Sequence, residues 1–218
     1  MPLSAYSMLS LGELKDYLGV AGDAKNGALE DIANRVSDEL EQFLGRQIVT
    51  RAPGLTEYHT MRAEGGEVHT ADLRTLEWPI IAITSVHEDT ATPRTYGAGA
   101  ALTVDVGYEL VPAAGIIRRI EGLGTPRNWA TGHRAIKVVY TAGYASTETV
   151  PARIKGVALR YAALIWAEVK SGSFGMSGQS DSLGNFTRFV PAQLTEPMKA
   201  ALAPEHRISF WESGESAA

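Results

Sequence analysis

Cysteine is absent from the 218 residues, which removes disulfide scaffolds, thiolate metal sites, iron–sulfur clusters and cysteine nucleophiles together. Long apolar runs are missing as well: none reaches the ~20 residues that cross a bilayer, and residues 1–10 lack the basic and apolar regions of a secretory leader. These absences lead to the expectation of a soluble protein that stays in the compartment where it is made. Blocks of lysine or arginine are equally lacking. With 20 basic against 25 acidic side chains and a formal charge of −5, the chain has no polycationic stripe for gripping phosphates, so tight general binding of nucleic acid is not expected.

What is present begins with helical periodicity. Ser10-Leu11-Gly12-Glu13 fits a capping box and predicts a short helix over residues 10–18, with Leu11, Leu14 and Leu18 on one face and Gly19 as a left-handed cap. Leu29, Ile32, Ala33, Val36, Leu40, Phe43 and Leu44 recur at helical spacing and predict a long amphipathic helix over 27–44, ended by Gly45. From residue 47 to 149 the period changes to short β-branched runs punctuated by Gly and Pro. Strands are expected near 67–70, 80–88, 102–106, 115–120 and 135–141, forming a small antiparallel sheet or barrel, with glycine supplying positive φ in the turns Asp105-Val106-Gly107-Tyr108 and Thr141-Ala142-Gly143-Tyr144.

Helical period returns after Val150-Pro151, where Ile154, Val157, Ala158, Tyr161, Ala162, Ile165 and Val169 predict a third helix over 151–171. Charge is divided unevenly: residues 1–46 carry −4, residues 151–172 carry +3, and 47–150 and 173–218 carry −2 each. An acidic hairpin and a basic helix are thus expected to pack favourably, although burial of their apolar stripes dominates. Residues 173–185 are mostly Gly, Ser and small polar side chains, too poor in apolar area to offset ordering, and form a flexible linker by composition. Apolar residues resume over 186–218, where Pro191, Pro197 and Pro204 exclude a long helix. The fold class is therefore α+β: a small helical bundle over 1–172 with a β insertion at 47–149, then the linker and a C-terminal tail.

A search for chemistry finds no assembled site. None of His59, His69, His87, His133 and His206 stands at zinc-helix spacing to another ligand. His87-Glu88-Asp89 is the densest polar cluster; as an acid–base or metal site it would need further converging groups, and a strand end exposed to solvent accounts for it more simply. Gly175-Met176-Ser177-Gly178 lacks the spacing of a nucleophile elbow, and neither Gly97-Ala98-Gly99 nor the glycines of 172–178 is followed by Gly-Lys-Ser/Thr. On a strand Arg118 and Arg119 point to opposite faces, so at most one meets any partner. Asp31, Asp38, Glu39 and Glu41 lie opposite the apolar stripe, as a solvated helix face does. No cofactor or metal is implied.

The ordered set of segments is more specific than any one of them. A leucine-containing helix, a long helix ending in Phe43-Leu44-Gly45-Arg46, a strand like Trp78-Pro79-Ile80-Ile81-Ala82-Ile83-Thr84-Ser85-Val86, the segment Gly115-Ile116-Ile117-Arg118-Arg119, the strand Lys137-Val138-Val139-Tyr140-Thr141-Ala142-Gly143-Tyr144 and a Val150-Pro151 junction before a helix with Ala158, Ala162, Ala163 and Trp166 follow one another over residues 10–172. This order resembles the head–tail connector, or adaptor, proteins of long-tailed bacteriophages. The resemblance implies a non-enzymatic virion component of the neck, assembled in the host cytoplasm. It further implies a ring, usually of twelve copies, docked under the portal and carrying a stopper, tail terminator or tail, with DNA passing through the lumen without sequence reading. The chain departs from shorter members in its long β region and extended tail. Aromatics flanked by arginine in that tail, Phe186, Arg188, Phe189, Arg207, Ile208, Phe210 and Trp211, have the composition of an interface hot spot and are the expected docking residues on the portal or a neighbouring copy. The alternatives are another neck or tail-completion ring protein and, from a different class, a small enzyme using His87 with Glu88 or Asp89.

Overall fold

The computed structural model describes residues 2–61, 71–122, 124–171, 179–180, 186–187 and 193–206. It divides the chain into two compact units, one of Met1–Gly45 with Thr147–Ala218, the other of Arg46–Ser146. The β region is thus an insertion into a helical unit.

In the helical unit, α1 (Leu11–Leu18) starts at the expected capping box. Ser10 Oγ accepts from Glu13 N–H, the Glu13 carboxylate accepts from Ser10 N–H, and Gly19 closes the helix at φ 64°. α2 (Asn26–Leu44) ends at Gly45, φ 65°, a conformation that glycine adopts without a Cβ penalty. α3 (Ala152–Ser171) begins one residue later than expected, with the Pro151 carbonyl accepting from Lys155 N–H at 3.1 Å. α4 (Glu196–Leu202) has Pro197 in its first turn, where the missing N–H is no loss. Leu14 of α1, Leu29, Ile32, Ala33, Val36, Leu40 and Leu44 of α2, Ile154, Val157, Ala158, Tyr161, Ala162 and Ile165 of α3, and Met198 and Leu202 of α4 are buried. α3 packs against α1, α2 and α4. Val169, expected in the α3 stripe, is instead 36% exposed at the end of the helix.

Among its described residues the inserted unit holds eight strands: β1 (Leu55–Met61), β2 (Asp72–Arg74), β3 (Ile80–Glu88), β4 (Ala101–Leu102), β5 (Tyr108–Val111), β6 (Ile116–Glu121), β7 (Thr125–Pro126) and β8 (Gly132–Ala142). They form two antiparallel sheets, ordered β1-β8-β3-β4 and β2-β6-β5 with β7 beside β6. Of the expected sheet or barrel, the antiparallel pairing is found and the barrel is corrected to two open sheets, sharing a core of Leu73, Tyr108 and Ile117 from one and Ile80, Val86, Ile136, Val138 and Tyr140 from the other. Strands β1, β2 and β5 were not expected. In β1 the residues turned inward include Glu57 and His59 while Tyr58 stands outside, so the usual apolar alternation is disguised. The expected strand at 102–106 is corrected too. Ala101–Leu102 is the strand, Val104 adds an isolated bridge to Tyr108, and the chain turns through Asp105 at φ 61°. Asp105, not Gly107, takes the left-handed position, which a short polar side chain tolerates. The expected strand at 67–70 lies outside the described residues.

In the segment 173–185 expected to be a linker, β9 (Gln179–Ser180) forms and pairs antiparallel with β10 (Phe186–Thr187) at the start of the tail. Farther along the tail, α4 returns to α3, and the His206 ring stands edge-on to Phe43 with centroids 5.9 Å apart.

Candidate assembly surfaces

Four of the sequence segments that carry the connector resemblance meet around one side chain. Arg46 is 3% exposed. Its Nη1 donates to the Trp78 carbonyl at 2.7 Å, and its guanidinium lies 4.4 Å from the centroid of the Trp78 ring and 6.0 Å from that of Tyr144. Beside it the Gln47 N–H donates to the Glu77 carboxylate at 2.7 Å, while Tyr144 N–H donates to Ile48 O at 2.7 Å and Thr50 N–H to Tyr144 O at 3.0 Å. Two glycines make the approach possible. A Cβ on Gly143, at φ 98°, would stand 2.8 Å from Ile48 O, and one on Gly115, at φ 62°, 2.8 Å from the Trp78 Cβ. The residues Arg46, Trp78, Gly115 and Gly143-Tyr144 are thus separated widely along the chain yet form one joint. It combines a charge-assisted hydrogen bond with a cation–π contact and holds the start of the insertion against its end.

Within the His87-Glu88-Asp89 cluster, Glu88 and Asp89 prove to be internal fastening. The Glu88 carboxylate lies 3.0 Å from Arg119 and accepts the Ala130 N–H at 2.7 Å, and Arg119 Nη1 donates to the Gly107 carbonyl at 2.7 Å. Asp89 accepts the N–H groups of Ala91, Thr95 and Tyr96 at 2.8, 2.9 and 2.8 Å. Those bonds, led by that from Tyr96, hold its carboxyl below the ordinary range. Both carboxylates are acceptors bound to structural donors. Arg118 and Arg119 do face opposite ways: Arg118 Nε donates to Asp72 at 2.7 Å on the half-exposed side, and Arg119 is buried. A second buried acid, Glu57, receives the Tyr140 hydroxyl and the Leu76 N–H, with His59 Nε2 at 3.0 Å. Burial alone would raise its carboxyl, but His59, Tyr140 and the Leu76 amide outweigh it and lower it, while burial and Glu57 together push the Tyr140 phenol up. Among the described residues no cluster of three or more His, Asp or Glu could hold a metal.

On the outer face of the first sheet, Tyr58 of β1, Lys137 of β8 and His87 of β3 stand in one cross-strand row. Tyr96 joins them from a loop: its ring centroid is 5.5 Å from that of Tyr58, Lys137 Nζ lies 5.5 Å over it, and Arg134 lies 4.0 Å over Tyr58. Sequence reasoning missed this row because Tyr58 and Tyr96 are brought together only by pairing across β8.

The helical unit carries the charge pairing expected from the uneven segment charges. Lys155 Nζ of α3 donates to Glu13 of α1 at 2.6 Å, and the Tyr161 hydroxyl of α3 donates to Glu39 of α2. Burial first, then Glu39, pushes the Tyr161 phenol up to about 12. Of the tail residues expected to dock, Phe186 lies in β10, where it pairs with Ser180. Arg188, Phe189, Arg207, Ile208, Phe210 and Trp211 lie outside the described residues.

No protein-family model and no curated protein matches the chain. Chains in solved structures do, three of which follow. A chain in the neck of an empty gene transfer agent (GTA) particle, computed with C6 symmetry, aligns with a TM-score of 0.53 at 16% identity, covering 96% of this chain and 95% of that one. A chain in the virion of a native gene transfer agent particle aligns at 0.55 and 17% identity, covering 96% and 94%. One from the neck of a native particle, computed with C12 symmetry, aligns at 0.51 and 17%, covering 96% and 95%. The chain therefore shares its fold, over nearly its whole length, with chains from gene transfer agent particles, two of them from the neck.

Proposed function

We propose that this protein is a structural component of the neck of a tailed, phage-like particle: a head–tail adaptor that forms a ring under the portal and joins the head to the tail or its stopper. The observation that carries the reading is the end-to-end likeness to neck chains, with about 95% of both chains covered and no large segment left over for another activity. Fold likeness by itself does not assign function. Here it coincides with the ordered connector segments, and those segments converge on Arg46. The neck structures were computed with C6 and C12 symmetry, and a cyclic arrangement of copies is what an adaptor ring requires. A chain of net charge −5 also suits the wall of a channel that DNA crosses without adhering, since each neutralised phosphate adds affinity.

Docking on the portal is assigned to the end of the tail, with Phe186, Arg188, Phe189, Arg207, Ile208, Phe210 and Trp211 as contact residues. Because Met198 and Leu202 are buried on the helical unit, a truncation after His206 spares α4 while removing Arg207, Ile208, Phe210 and Trp211.

The test is assembly. Particles produced without this protein should accumulate as heads lacking tails in electron micrographs, and the purified protein should add to such heads and restore joining. Tailed, infective or transfer-competent particles in its absence would overturn the reading. Unaltered addition by the chain truncated after His206 would remove Arg207, Ile208, Phe210 and Trp211 from the docking surface and leave the neck assignment standing.

A further inference from the structure

Among the described residues, the non-glycine residues with positive φ are Tyr96 at 48°, Asp105 at 61° and Arg134 at 52°. A side chain in the left-handed region costs free energy that the surrounding fold must sustain, and such strain gathers where a surface is used. All three residues lie in the inserted unit, and they belong to two exposed features, one cationic and aromatic, the other acidic and apolar.

The first is the row on the outer face of the first sheet. Asp89 binds three loop amides, that of Tyr96 among them, and so fixes the loop that presents Tyr96. The Tyr96 hydroxyl donates to the Arg134 carbonyl at 2.7 Å, and Arg134 N–H donates to Thr60 Oγ1 at 2.9 Å. The result is a platform in which Lys137 stands over the Tyr96 ring and Arg134 over Tyr58, itself 40% exposed. Neither cation has an acidic partner among the described residues. Glu57 and Glu88, on the strands either side of β8, are already bound, Glu57 by Tyr140 and His59 and Glu88 by Arg119.

The second is the turn after β4. Val104 and Val106, 47% and 59% exposed, flank Asp105. The Thr103 carbonyl accepts the N–H groups of Gly107 and Tyr108 at 2.7 and 3.3 Å, and Asp105 N–H donates to the Tyr108 carbonyl at 2.8 Å, so the tip is stiff. Burial and the Asp105 charge together raise the Tyr108 phenol, a group that stays neutral, and no described cation pairs with Asp105. A polyanion would match the platform and leave this tip unexplained.

We propose that the Val104-Asp105-Val106 tip of one copy docks onto the Tyr58, Tyr96, Arg134 and Lys137 platform of the next, with Asp105 between the two cations and the valines against the tyrosine rings. The strand order β1-β8-β3-β4 puts β1, with Tyr58, at one edge of the sheet and β4, which leads into the tip, at the other. Complementary surfaces at opposite edges make a heterologous contact that repeats in one direction, as closing a ring requires. Both partners are stiff before they meet, so little ordering entropy opposes the contact. The proposal rests on the ring reading given above and specifies which surfaces close the ring.

The test uses the full-length protein carrying Lys137→Glu, Asp105→Lys, or both. Assembly is followed by native mass spectrometry and sedimentation velocity at low salt, where surface charge is least screened. The wild type should assemble beyond a dimer, and each single reversal should raise the concentration of half-assembly by roughly 10-fold or more, because like charges then meet at every seam. The doubly reversed chain should assemble again on its own, and so should an equal mixture of the two single variants, in rings of even subunit number. A folding defect would be rescued by neither, so recovery separates the contact from the fold. Because the chain has no cysteine, cross-linking gives an independent measurement that needs no charge change. Thr56→Cys and Thr103→Cys, both at exposed positions, should be joined between copies by a short bismaleimide when the two variants are mixed, and not when either is treated alone. Reversals that assemble like the wild type, native-spectrum variants that recover in neither arrangement, assembly that stops at a two-fold dimer, or absence of the cross-link would each overturn the contact and leave the neck reading intact. If Lys137→Glu assembled normally but lost binding to duplex DNA that the wild type retains, the occupant would be a nucleic acid, which also overturns the proposal. A wild type that stays monomeric at every concentration would remove the ring reading and the contact together.

Discussion

The Arg46 guanidinium lies 4.4 Å over the Trp78 ring while donating to the Trp78 carbonyl at 2.7 Å. One side chain thus binds its neighbour through both backbone and ring, at a point where Gly115 and Gly143 admit the surrounding chain. Four segments that sequence reasoning could only place in order are held together here.

Arg46→Ala should accordingly destabilise the protein by about 2–4 kcal/mol, combining a lost charge-assisted hydrogen bond with a lost cation–π contact. Arg46→Lys should recover only part of this, since an ammonium cannot stack its plane on the indole. Urea unfolding followed by tryptophan fluorescence measures both. A loss under about 0.5 kcal/mol, the level of an ordinary surface change, would show that the joint contributes little.

Two glycines with opposite surroundings make a paired prediction. Gly143→Ala places a Cβ 2.8 Å from Ile48 O at a φ of 98° and should cost at least about 2 kcal/mol. Gly156→Ala lies inside α3 with open space around the new methyl and should stabilise the unassembled chain by about 0.5–1 kcal/mol through helix propensity. Thermal unfolding at low protein concentration should therefore shift in opposite directions for the two.

The Glu88–Arg119 pair, with side chains 11% and 9% exposed, should behave as a buried ion pair. Arg119→Met leaves the Glu88 charge unpaired and should cost about 3–5 kcal/mol, whereas Glu88→Leu with Arg119→Met should cost clearly less. Double-mutant analysis of urea unfolding measures the coupling. Additive losses would mean that the two groups do not support one another.

Alkaline pH should expose Tyr161. Its phenol is pushed from 10.0 up to about 12, so the unfolded chain gives up this proton first. The associated stability is complete below about pH 10 and is lost as pH rises from there to about 12. Tyr161→Phe removes that titration, so the difference in stability between wild type and variant should be constant below pH 10 and change across that interval. A difference that is flat through pH 12 would contradict the assigned bond to Glu39.

Much of the helical unit was legible from the chain because its cues are local. The capping box at Ser10 and Glu13, the left-handed caps at Gly19 and Gly45 and the stripes from Leu29 to Leu44 and Ile154 to Ile165 depend on residues a few positions apart. The inserted unit was less legible for the opposite reason. β1 turns Glu57 and His59 inward because Tyr140, from the neighbouring strand, and the Leu76 amide await them there, and no local pattern announces a carboxylate that distant donors will satisfy.

The chain by itself determined three helices and their caps, the unequal charges of α2 and α3, the opposed directions of Arg118 and Arg119, and the absence of thiol chemistry, since each follows from composition or from spacing within one element. Tertiary structure alone decided that the strands form two open sheets rather than a barrel. It also turned Glu88 into fastening for Arg119 and Asp89 into fastening for a loop, packed α4 back onto α3, and gathered Arg46, Trp78, Gly115 and Tyr144 at one joint. These outcomes depend on which distant groups satisfy a buried charge or amide, and such partners are chosen by long-range packing, which periodicity along the chain does not encode.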